Sequence, residues 1–581
     1  MMVFVSQHRW MPNVQKRMIA DSFMKRLCRC LIAFAAGSVV CLALGSDVVD
    51  ENRPLLRIGA MSDNHLDPRR PKTHRRTEAC FRLFRKFGVD VVVDTGDIAD
   101  TSQVSELAYF RRLFDEAFEG ADCIPFFCLA GHDYNYVPKT KQNDPTNIRN
   151  AARALGMTDE NPAVTVRGYR FLNCYQTGDW DDFACRLERG IGETSCGKPV
   201  FVVTHEPPFG TTTGTEHWSS KKIRSVLDRY PQVFNLTGHI HSSIAWPANI
   251  WQGTFTSVNL GAHAEYSNKI GGEAVVIDVF ADRIDIRRYE AESGREIGAD
   301  DRWSVPLPLD PARGPYRPES RMQVLKVAEM PQDGSFAFIP GQMAALRFSA
   351  AEPRSAARRY RVVLESSASD GNWEFLSELN WPVPQVMDFP NSVRCEFPGA
   401  VLDAGRSHRA RITPIDSYGR SGVARDFAFT VPADMLPAAL PEELTAVARV
   451  TEGWKYDPER LAQVTPDGWI SYSGGATAVV LPSGFAAAIQ GKKELSLVFD
   501  VATDQPGNPV TLSVGSIHPS EWDVKPGAGK RLYTLGGRRE RNRYAWLIDP
   551  GHYALDTLCC LIVREGDAGR FRVNSIRAYV R

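Results

Sequence analysis

The chain has 581 residues, with 69 basic and 69 acidic side chains, and it is too long for a single hydrophobic core. Length alone leads us to expect about three domains. The balanced charges leave no net electrostatic field, so neither nucleic acid nor an anionic membrane is an expected partner. The twelve cysteines form no dense pattern, so disulfide bonds are not expected to define the fold.

The first 45 residues have the composition of a signal peptide and leader. Lys25 and Arg26 form a short basic region, and residues 31–44 are apolar. Ala43 and Gly45 then supply the small residues that a signal peptidase reads. The apolar stretch is short for a membrane span, which needs about 20 apolar residues. We therefore expect an exported protein, periplasmic or extracellular, with a retained membrane anchor as the alternative.

Short apolar runs that are typical of buried strands follow the leader, separated by amphipathic stretches that favour helices. These runs cover residues 55–60, 91–93, 126–129, 201–203 and 233–236. Acidic or histidine residues come soon after each run, namely Asp63 and His65, Asp97, His132 and Asp133, His205, and finally His239 and His241. Functional groups of open α/β sheets gather beyond the carboxyl ends of the strands. We therefore expect these side chains to meet at one edge of a sheet.

The residue types at these strand ends predict a metal site. Imidazole nitrogen and carboxylate oxygen together suit Zn, Fe or Mn, and the absence of a cysteine cluster argues against a structural zinc site. Two ions about 3.5–4 Å apart need a ligand between them, and a carboxylate can bridge with its two oxygens. Asp97 is the candidate bridge, because Gly96 before it permits close approach. Positions 63 and 65, like 239 and 241, are two apart, and in extended backbone such residues point to the same side.

The motifs, taken together, resemble the calcineurin-like metallophosphoesterases over roughly residues 54–290. The pattern of that family is Asp-x-His, Gly-Asp, Gly-Asn-His-Asp, a lone His and Gly-His-x-His, in this order. The resemblance implies a four-layer αββα sandwich and two divalent or trivalent ions of Mn, Fe or Zn. It implies that the first ion is held by Asp63, His65, Asp97 and His241, and the second by Asp97, His205 and His239.

The same resemblance implies the chemistry. The chain would be a metal-dependent phosphoric ester hydrolase, either a phosphodiesterase or a phosphomonoesterase, in which metal-bound hydroxide attacks phosphorus. His132 would contact the phosphate and help to protonate the leaving oxygen, with Asp133 orienting its ring. His217, in a loop of the same region, is a candidate substrate contact, with a solvated loop histidine as the alternative.

At two positions, 131 and 100, the chain lacks a metal-binding residue that a related family has. Gly131 stands where the family has the asparagine that binds the second metal, so the second ion is expected to be held more weakly. Water, Asn64 or Asn135 are candidates to fill that position. The alternative function is a catalytically weakened phosphoesterase-like protein that binds a cell surface or carbohydrate. Purple acid phosphatases carry a metal-binding tyrosine where this chain has Asp100, which argues against a tyrosinate–iron site.

Pro-rich stretches at residues 305–318 and 431–441 mark internal boundaries. They predict a metallophosphoesterase domain over residues 52–304, a β-sandwich over 318–432 and a C-terminal β-sandwich over 443–581. Residues 410–422 resemble the last strands of a fibronectin type III domain. The tryptophans of the last domain are expected to lie in its core, and exposed tryptophans that bind polysaccharide or cell wall are the alternative. The predicted fold class is therefore α/β followed by two all-β sandwich domains.

Overall fold

The computed structural model describes most of the chain between residues 53 and 433, and separate segments after that. The described residues are 53–135, 144–158, 162–175, 180–193, 197–213, 215, 219–263, 272–339, 343–352, 357–383, 391–433, 449–452, 464–472, 476–480, 495–504, 511–517, 524–526, 542–548, 558–564 and 569–580. The predicted signal peptide over residues 1–45 lies outside them. Within the described part, no helix has both the length and the apolar character needed to cross a membrane.

The strands of the α/β region form two mixed sheets. They are β1 (Leu56–Met61), β2 (Val91–Asp94), β3 (Ile124–Phe127), β4 (Ala163–Val166), β5 (Tyr169–Cys174), β6 (Val200–Thr204), β7 (Val233–Thr237), β8 (Ile250–Gln252), β9 (Thr256–Asn259), β10 (Glu273–Val279), β11 (Arg283–Glu290), β12 (Arg295–Ile297) and β13 (Trp303–Pro306). One sheet has the order β12-β11-β10-β1-β2-β3, with β13 also paired to β11, and the other has the order β4-β5-β6-β7-β9-β8. The strands β1 to β3 run parallel in the first sheet, and β5, β6, β7 and β9 run parallel in the second.

The helices begin and end where the sequence supplies suitable capping residues. They are α1 (Pro71–Phe87), α2 (Val104–Ala117), α3 (Gly131–Tyr134), α4 (Pro145–Ala154), α5 (Trp180–Glu193), α6 (Lys221–Leu227) and α7 (Pro318–Val324). Helix α1 starts with Pro71, whose fixed φ suits the first turn, and ends at Gly88, which has a left-handed φ of 64°. At the start of α4, the Asp144 side chain accepts a hydrogen bond from the backbone N–H of Thr146.

Four layers result from this packing. A buried cluster between the two sheets includes Ile58 of β1 and Phe201 of β6. A second cluster, which includes Phe81 of α1, lies on the outer face of the first sheet, and a third, which includes Leu187 of α5, lies on the outer face of the second. The order helix, sheet, sheet, helix confirms the predicted αββα sandwich. The expectation of a single sheet edge was wrong, because the strands that precede the candidate ligands are divided between the two sheets.

The rest of the described chain is almost entirely strand. The strands that follow α7 are β14 (Gly334–Ile339), β15 (Met343–Ser349), β16 (Arg359–Ser367), β17 (Trp373–Pro382), β18 (Ser392–Pro398), β19 (Ser407–Ile415) and β20 (Arg425–Thr430). They form two antiparallel sheets of orders β14-β15-β18 and β17-β16-β19-β20, which we call the first β region. Its core contains buried residues from both sheets, among them Phe348 and Leu364.

A second pair of antiparallel sheets follows. Its strands are β21 (Arg449–Glu452), β22 (Ile470–Tyr472), β23 (Ala476–Val480), β24 (Leu495–Thr503), β25 (Thr511–Ile517), β26 (Val524–Pro526), β27 (Asn542–Ile548), β28 (Leu558–Arg564) and β29 (Gly569–Val580). Their orders are β21-β23-β28-β25-β26 and β22-β29-β24-β27. These sheets confirm the predicted all-β class, while the domain boundaries near residues 304, 318, 432 and 443 stay predictions. Of the tryptophans in this part, Trp469 is half-buried and Trp454 and Trp522 lie outside the described residues.

Candidate metal centre

The six residues predicted to bind metal lie just beyond the carboxyl ends of four strands. Two follow β1, one follows β2, one follows β6 and two follow β7. The structure brings all of them together across the two sheets, in two groups whose ligand atoms lie within 4.8 Å of one another. The groups are Asp63, His65 and His241, and Asp97, His205 and His239.

The first group joins the ends of β1 and β7. The Nε2 atom of His241 lies 2.9 Å from Oδ1 of Asp63 and 3.2 Å from Nε2 of His65. The same His65 nitrogen lies 3.9 Å from the Asp63 oxygen. Asp63 and His65 are buried and the His241 side chain is 16% exposed, so two imidazole nitrogens and one carboxylate oxygen converge at a largely buried point.

The second group joins the ends of β2, β6 and β7. The Nε2 atom of His205 lies 3.1 Å from Oδ2 of Asp97 and 3.1 Å from Nδ1 of His239. That Asp97 oxygen also lies 3.9 Å from Nε2 of His65, which belongs to the first group. Asp97 therefore stands between the two groups, in the position predicted for a bridging carboxylate.

The electrostatics of the site favour cations. Burial on its own would raise the pKa of Asp63 and Asp97, but the facing histidines His241 and His205 outweigh it, and both carboxyl groups are held below their usual pKa. Burial, reinforced by the charge of His205, lowers the pKa of His239 to about 4. The facing carboxylates Asp97 and Asp63 outweigh burial at the other two rings, raising the pKa of His205 to about 10 and that of His241 above its usual value, so a metal ion would displace a proton from each. The donor set therefore fits a pair of transition-metal ions.

The backbone of the ligand segments is left-handed rather than extended. Positive φ angles occur at Asp63 (52°), His65 (45°), Asp97 (54°), His239 (69°) and His241 (53°). The expectation that each pair of ligands points to one side of an extended strand was therefore wrong. The ligands come after the strands end, where the chain turns and pairs with its neighbour, for example through the Asp63 N–H to the Gly96 carbonyl at 3.0 Å. Left-handed conformations are unfavourable for residues with a Cβ, so the surrounding contacts must hold them in place.

Two glycines make room for the ligands. Gly96 has a φ of 105°, and a Cβ there would lie 2.7 Å from the Cβ of Ala130, so a larger residue at this position would be strained and crowded. A Cβ at Gly238 would overlap both Ser62 Oγ and a carboxylate oxygen of Asp63. That oxygen accepts hydrogen bonds from the Ser62 hydroxyl at 2.5 Å and the His239 N–H at 2.9 Å.

His132 sits against both the bridging carboxylate and the first group. Its backbone N–H donates to Oδ1 of Asp97 at 3.0 Å, and its ring centroid lies 4.6 Å from that of His65. Its Nδ1 lies 2.8 Å from the backbone carbonyl oxygen of Asp100. Because a carbonyl only accepts, Nδ1 carries the proton and Nε2 is the atom that can exchange one with a substrate.

Asp133 has a different set of contacts from the one expected. Its carboxylate accepts hydrogen bonds from the backbone N–H groups of Ala99 and Ala130, both at 2.9 Å. It lies in the first turn of α3, where a carboxylate reaches exposed backbone donors more readily than a neighbouring ring. The ring of His132 is instead oriented by the Asp100 carbonyl. A catalytic role for Asp133 stays a prediction, and burial raises its pKa to about 7.

Comparison with known proteins agrees with this geometry. Residues 56–243 match the family model of the calcineurin-like phosphoesterases. The match places this segment in the calcineurin-like phosphoesterase family. No curated protein matches the chain.

Solved structures with weak similarity were also found. A dimetal phosphatase from Danio rerio is 10% identical, with a TM-score of 0.32, and the match covers 41% of this chain and 97% of that one. Purple acid phosphatase from yellow lupin seeds is 11% identical, with a TM-score of 0.33, and the match covers 43% of this chain and 53% of that one. A human fibronectin III domain is 15% identical, with a TM-score of 0.15, and the match covers 18% of this chain and 84% of that one. TM-scores this low add nothing to the family match.

The contacts of Asn64 and Asn135 bear on whether either of them replaces the asparagine ligand that is absent at Gly131. Asn64 is fully buried, and its amide nitrogen donates to the Asp94 carboxylate at 2.5 Å. Its amide oxygen accepts from the Thr77 hydroxyl at 3.3 Å, so both ends of the Asn64 amide already have partners. Asn135 ends α3 with its N–H donating to the carbonyl of Gly131 at 2.9 Å, and its use as a substitute ligand stays a prediction.

The sequence reasoning missed two carboxylates behind the ligands. Asp94, the last residue of β2, is fully buried and accepts the Gly96 N–H at 2.8 Å, and burial raises its pKa well above its usual value. Asp100 lies 3.1 Å from Nδ1 of His65 and 3.3 Å from Arg70, so it turns the other nitrogen of His65 toward the first group. A polar residue directly after an apolar run was the available signal for Asp94. The predicted substrate contact His217 lies outside the described residues.

Proposed function

We propose that residues 52–304 form an exported, dinuclear-metal phosphoesterase that hydrolyses phosphate esters. The observation that carries this proposal is the position of Asp97, which lies 3.1 Å from His205 in one group and 3.9 Å from His65 in the other. A carboxylate within reach of both groups can hold two ions side by side. The match of residues 56–243 to the phosphoesterase family supports the same chemistry.

The ligands would form two sets, one for each ion, and both sets would include the carboxylate of Asp97. When bound, such a pair polarises a phosphoryl group and lowers the pKa of a bound water. Asp63, His65, Asp97 and His241 would hold the first ion, and Asp97, His205 and His239 the second. Mn, Fe and Zn all suit nitrogen and carboxylate ligands.

His132 is the residue that we propose to protonate the leaving oxygen. The Asp100 carbonyl holds its Nδ1 at 2.8 Å, which directs proton exchange to Nε2. Its backbone N–H donates to Asp97, so the position of the acid is tied to the position of the bridge. Asp133 supports this arrangement by holding the backbone at Ala99 and Ala130.

Substrate and location are proposed by class. The substrate is a phosphate ester, either a monoester or a diester, and export is supported by the composition of residues 1–45.

Elemental analysis of the purified protein, paired with hydrolysis of an aryl phosphomonoester and an aryl phosphodiester, tests the function. We expect about two transition-metal ions per chain, together with turnover of at least one ester. Asp97→Asn should lose both, whereas Asp115→Asn is a matched control, because Asp115 lies on α2 in an exposed ion pair with Arg111. No bound ion and no turnover after addition of Mn or Zn would refute the proposal.

A second candidate function rests on Gly131. If the missing asparagine leaves the second ion weakly held, the chain would act as a catalytically weakened relative whose β regions bind polysaccharide or a cell surface. Gly131→Asn separates the two candidates. A large gain in turnover indicates an impaired natural site, and little change indicates that another group already completes it.

A further inference from the structure

The loop that carries His239 and His241 packs against the first β region. It runs from the end of β7 to the start of β8, and Trp246 lies within it, five positions after the ligand His241. Trp246 is only 2% exposed and belongs to the buried cluster that also contains Met330 and Phe348. The side chain of a loop in the phosphoesterase domain is thus part of the core of the first β region.

A polar contact accompanies this burial. Tyr418, in the turn after β19, donates its hydroxyl to the carbonyl of Pro247 at 3.3 Å. Arg420 in the same turn donates to the carbonyls of Met322 and Leu325, at 2.5 and 3.1 Å, and so holds the connection between the two regions at α7. The turn of the first β region therefore holds both the end of the ligand loop and the chain that joins the regions.

The residues between His241 and Trp246 are fixed on the phosphoesterase side as well. Glu273, at the start of β10, accepts hydrogen bonds from the Ser243 hydroxyl at 2.5 Å and the Ile244 N–H at 3.1 Å. Asn249 donates to the carbonyls of Ser242 and Ser243, at 3.1 and 2.6 Å. Arg288 of β11 donates to the Ile244 carbonyl at 3.0 Å. Residues 242–244 are thus a short and restrained link between the ligand His241 and Trp246.

We propose that the first β region strengthens metal binding, because it anchors Trp246 and thereby positions His239 and His241. The inference rests on the metal centre of the proposed function. The two histidines have φ angles of 69° and 53°, which are conformations that relax when the restraining contacts weaken. Trp246 and Tyr418 are accordingly positioning residues, which act on the ions only through the ligands.

Metal binding by the full-length chain tests the inference. Metal-stripped wild type, Trp246→Ala, Trp246→Phe and Leu364→Ala would be titrated with Mn²⁺ and with Zn²⁺, and the dissociation constants compared. Leu364 is a fully buried residue of β16 in the same cluster, and serves as the control for general loss of core packing. We expect Trp246→Ala to weaken metal binding by about 10-fold or more, with partial recovery in Trp246→Phe and no change in Leu364→Ala.

Several outcomes would overturn the inference. Equal metal affinities of wild type and Trp246→Ala would refute this inference but not the metal centre, since the wild type would still bind its ions. Equal weakening in Leu364→Ala would also refute it, because the effect would then follow from stability and not from Trp246. Should Trp246→Ala fail to fold, Tyr418→Phe decides the matter, with an expected loss of about 3-fold. A wild type that binds no ion would refute the metal centre and this inference together.

Discussion

Gly238 is the position at which one added methyl group most directly perturbs the metal centre. A Cβ there would overlap Ser62 Oγ and Asp63 Oδ2 and would lie 2.8 Å from Thr95 Oγ1. All three side chains are fully buried, so none of them can swing into solvent to make room. Gly238→Ala should therefore displace the Asp63 carboxylate from the hydrogen bonds that hold it.

The magnitude follows from the groups that must move. Overpacking of a tight interior destabilises by about 1–3 kcal/mol. The Asp63 carboxylate also accepts hydrogen bonds from Ser62 and His239, and a bond to a charged group contributes about 1.5–3 kcal/mol. A combined loss of about 4 kcal/mol is expected if both bonds weaken. For a domain of this size, that corresponds to an unfolding midpoint lower by about 8–16 °C.

Differential scanning calorimetry of the metal-stripped protein measures this shift without any contribution from bound ions. Gly192→Ala is the matched control, because Gly192 lies in α5 and an added Cβ there has no heavy atom within 4 Å. Its midpoint should not fall and should rise by at most about 4 °C, because alanine in place of a helical glycine adds at most about 1 kcal/mol of stability. A Gly238→Ala midpoint equally close to wild type would show that the site accommodates the methyl group and that the reasoning is wrong.

Four further predictions concern single side chains. Asp97→Asn should abolish nearly all hydrolysis and reduce bound metal in elemental analysis, because an amide lacks the second anionic oxygen; unchanged turnover would contradict the bridging role. His132→Ala should retain the metal content and slow turnover by about 100-fold or more, and a variant that also lost its ions would instead indicate a ligand. Gly131→Asn should tighten binding of the second ion in a metal titration, and an unchanged affinity would mean that the position is already filled. Burial raises the pKa of Glu273 from 4.5 to about 7, so between about pH 4.5 and 7 the native state binds more protons than the unfolded state and becomes less stable as the pH rises. Glu273→Gln should remove this fall in the thermal midpoint of the metal-stripped protein, and an identical pH profile would contradict the assignment.

The ligand positions could be predicted because each depends on a short, local pattern. The run at residues 201–203 lies within β6, and His205 follows β6 directly, so the motif and the strand support each other. The same holds for residues 91–93, which lie within β2 and precede Asp97. A strand end places its next polar residue at the sheet edge whatever the rest of the fold does.

The supporting contacts could not be predicted, because they join distant parts of the chain. Glu273 holds Ser243 and Ile244 from about 30 positions away, and no spacing in the sequence connects them. The division of the strands between two sheets depends on which strands pair, a choice that apolar runs do not encode. Nothing in the sequence around Trp246 indicates that this side chain packs with residues of the first β region.

The left-handed backbone at the ligand positions lowers the stability of the fold, while the side chains at those positions are the ones that the proposed activity needs. At each of the five positions a glycine would relieve backbone strain of about 1–3 kcal/mol, yet the chain keeps an aspartate or a histidine there. Protein engineering aimed only at thermal tolerance would therefore tend to remove the ligands first, since those substitutions are the ones that the backbone favours. A more heat-resistant version of this protein would have to gain its stability elsewhere, for instance in the cores of the β regions, and leave the strained turns untouched.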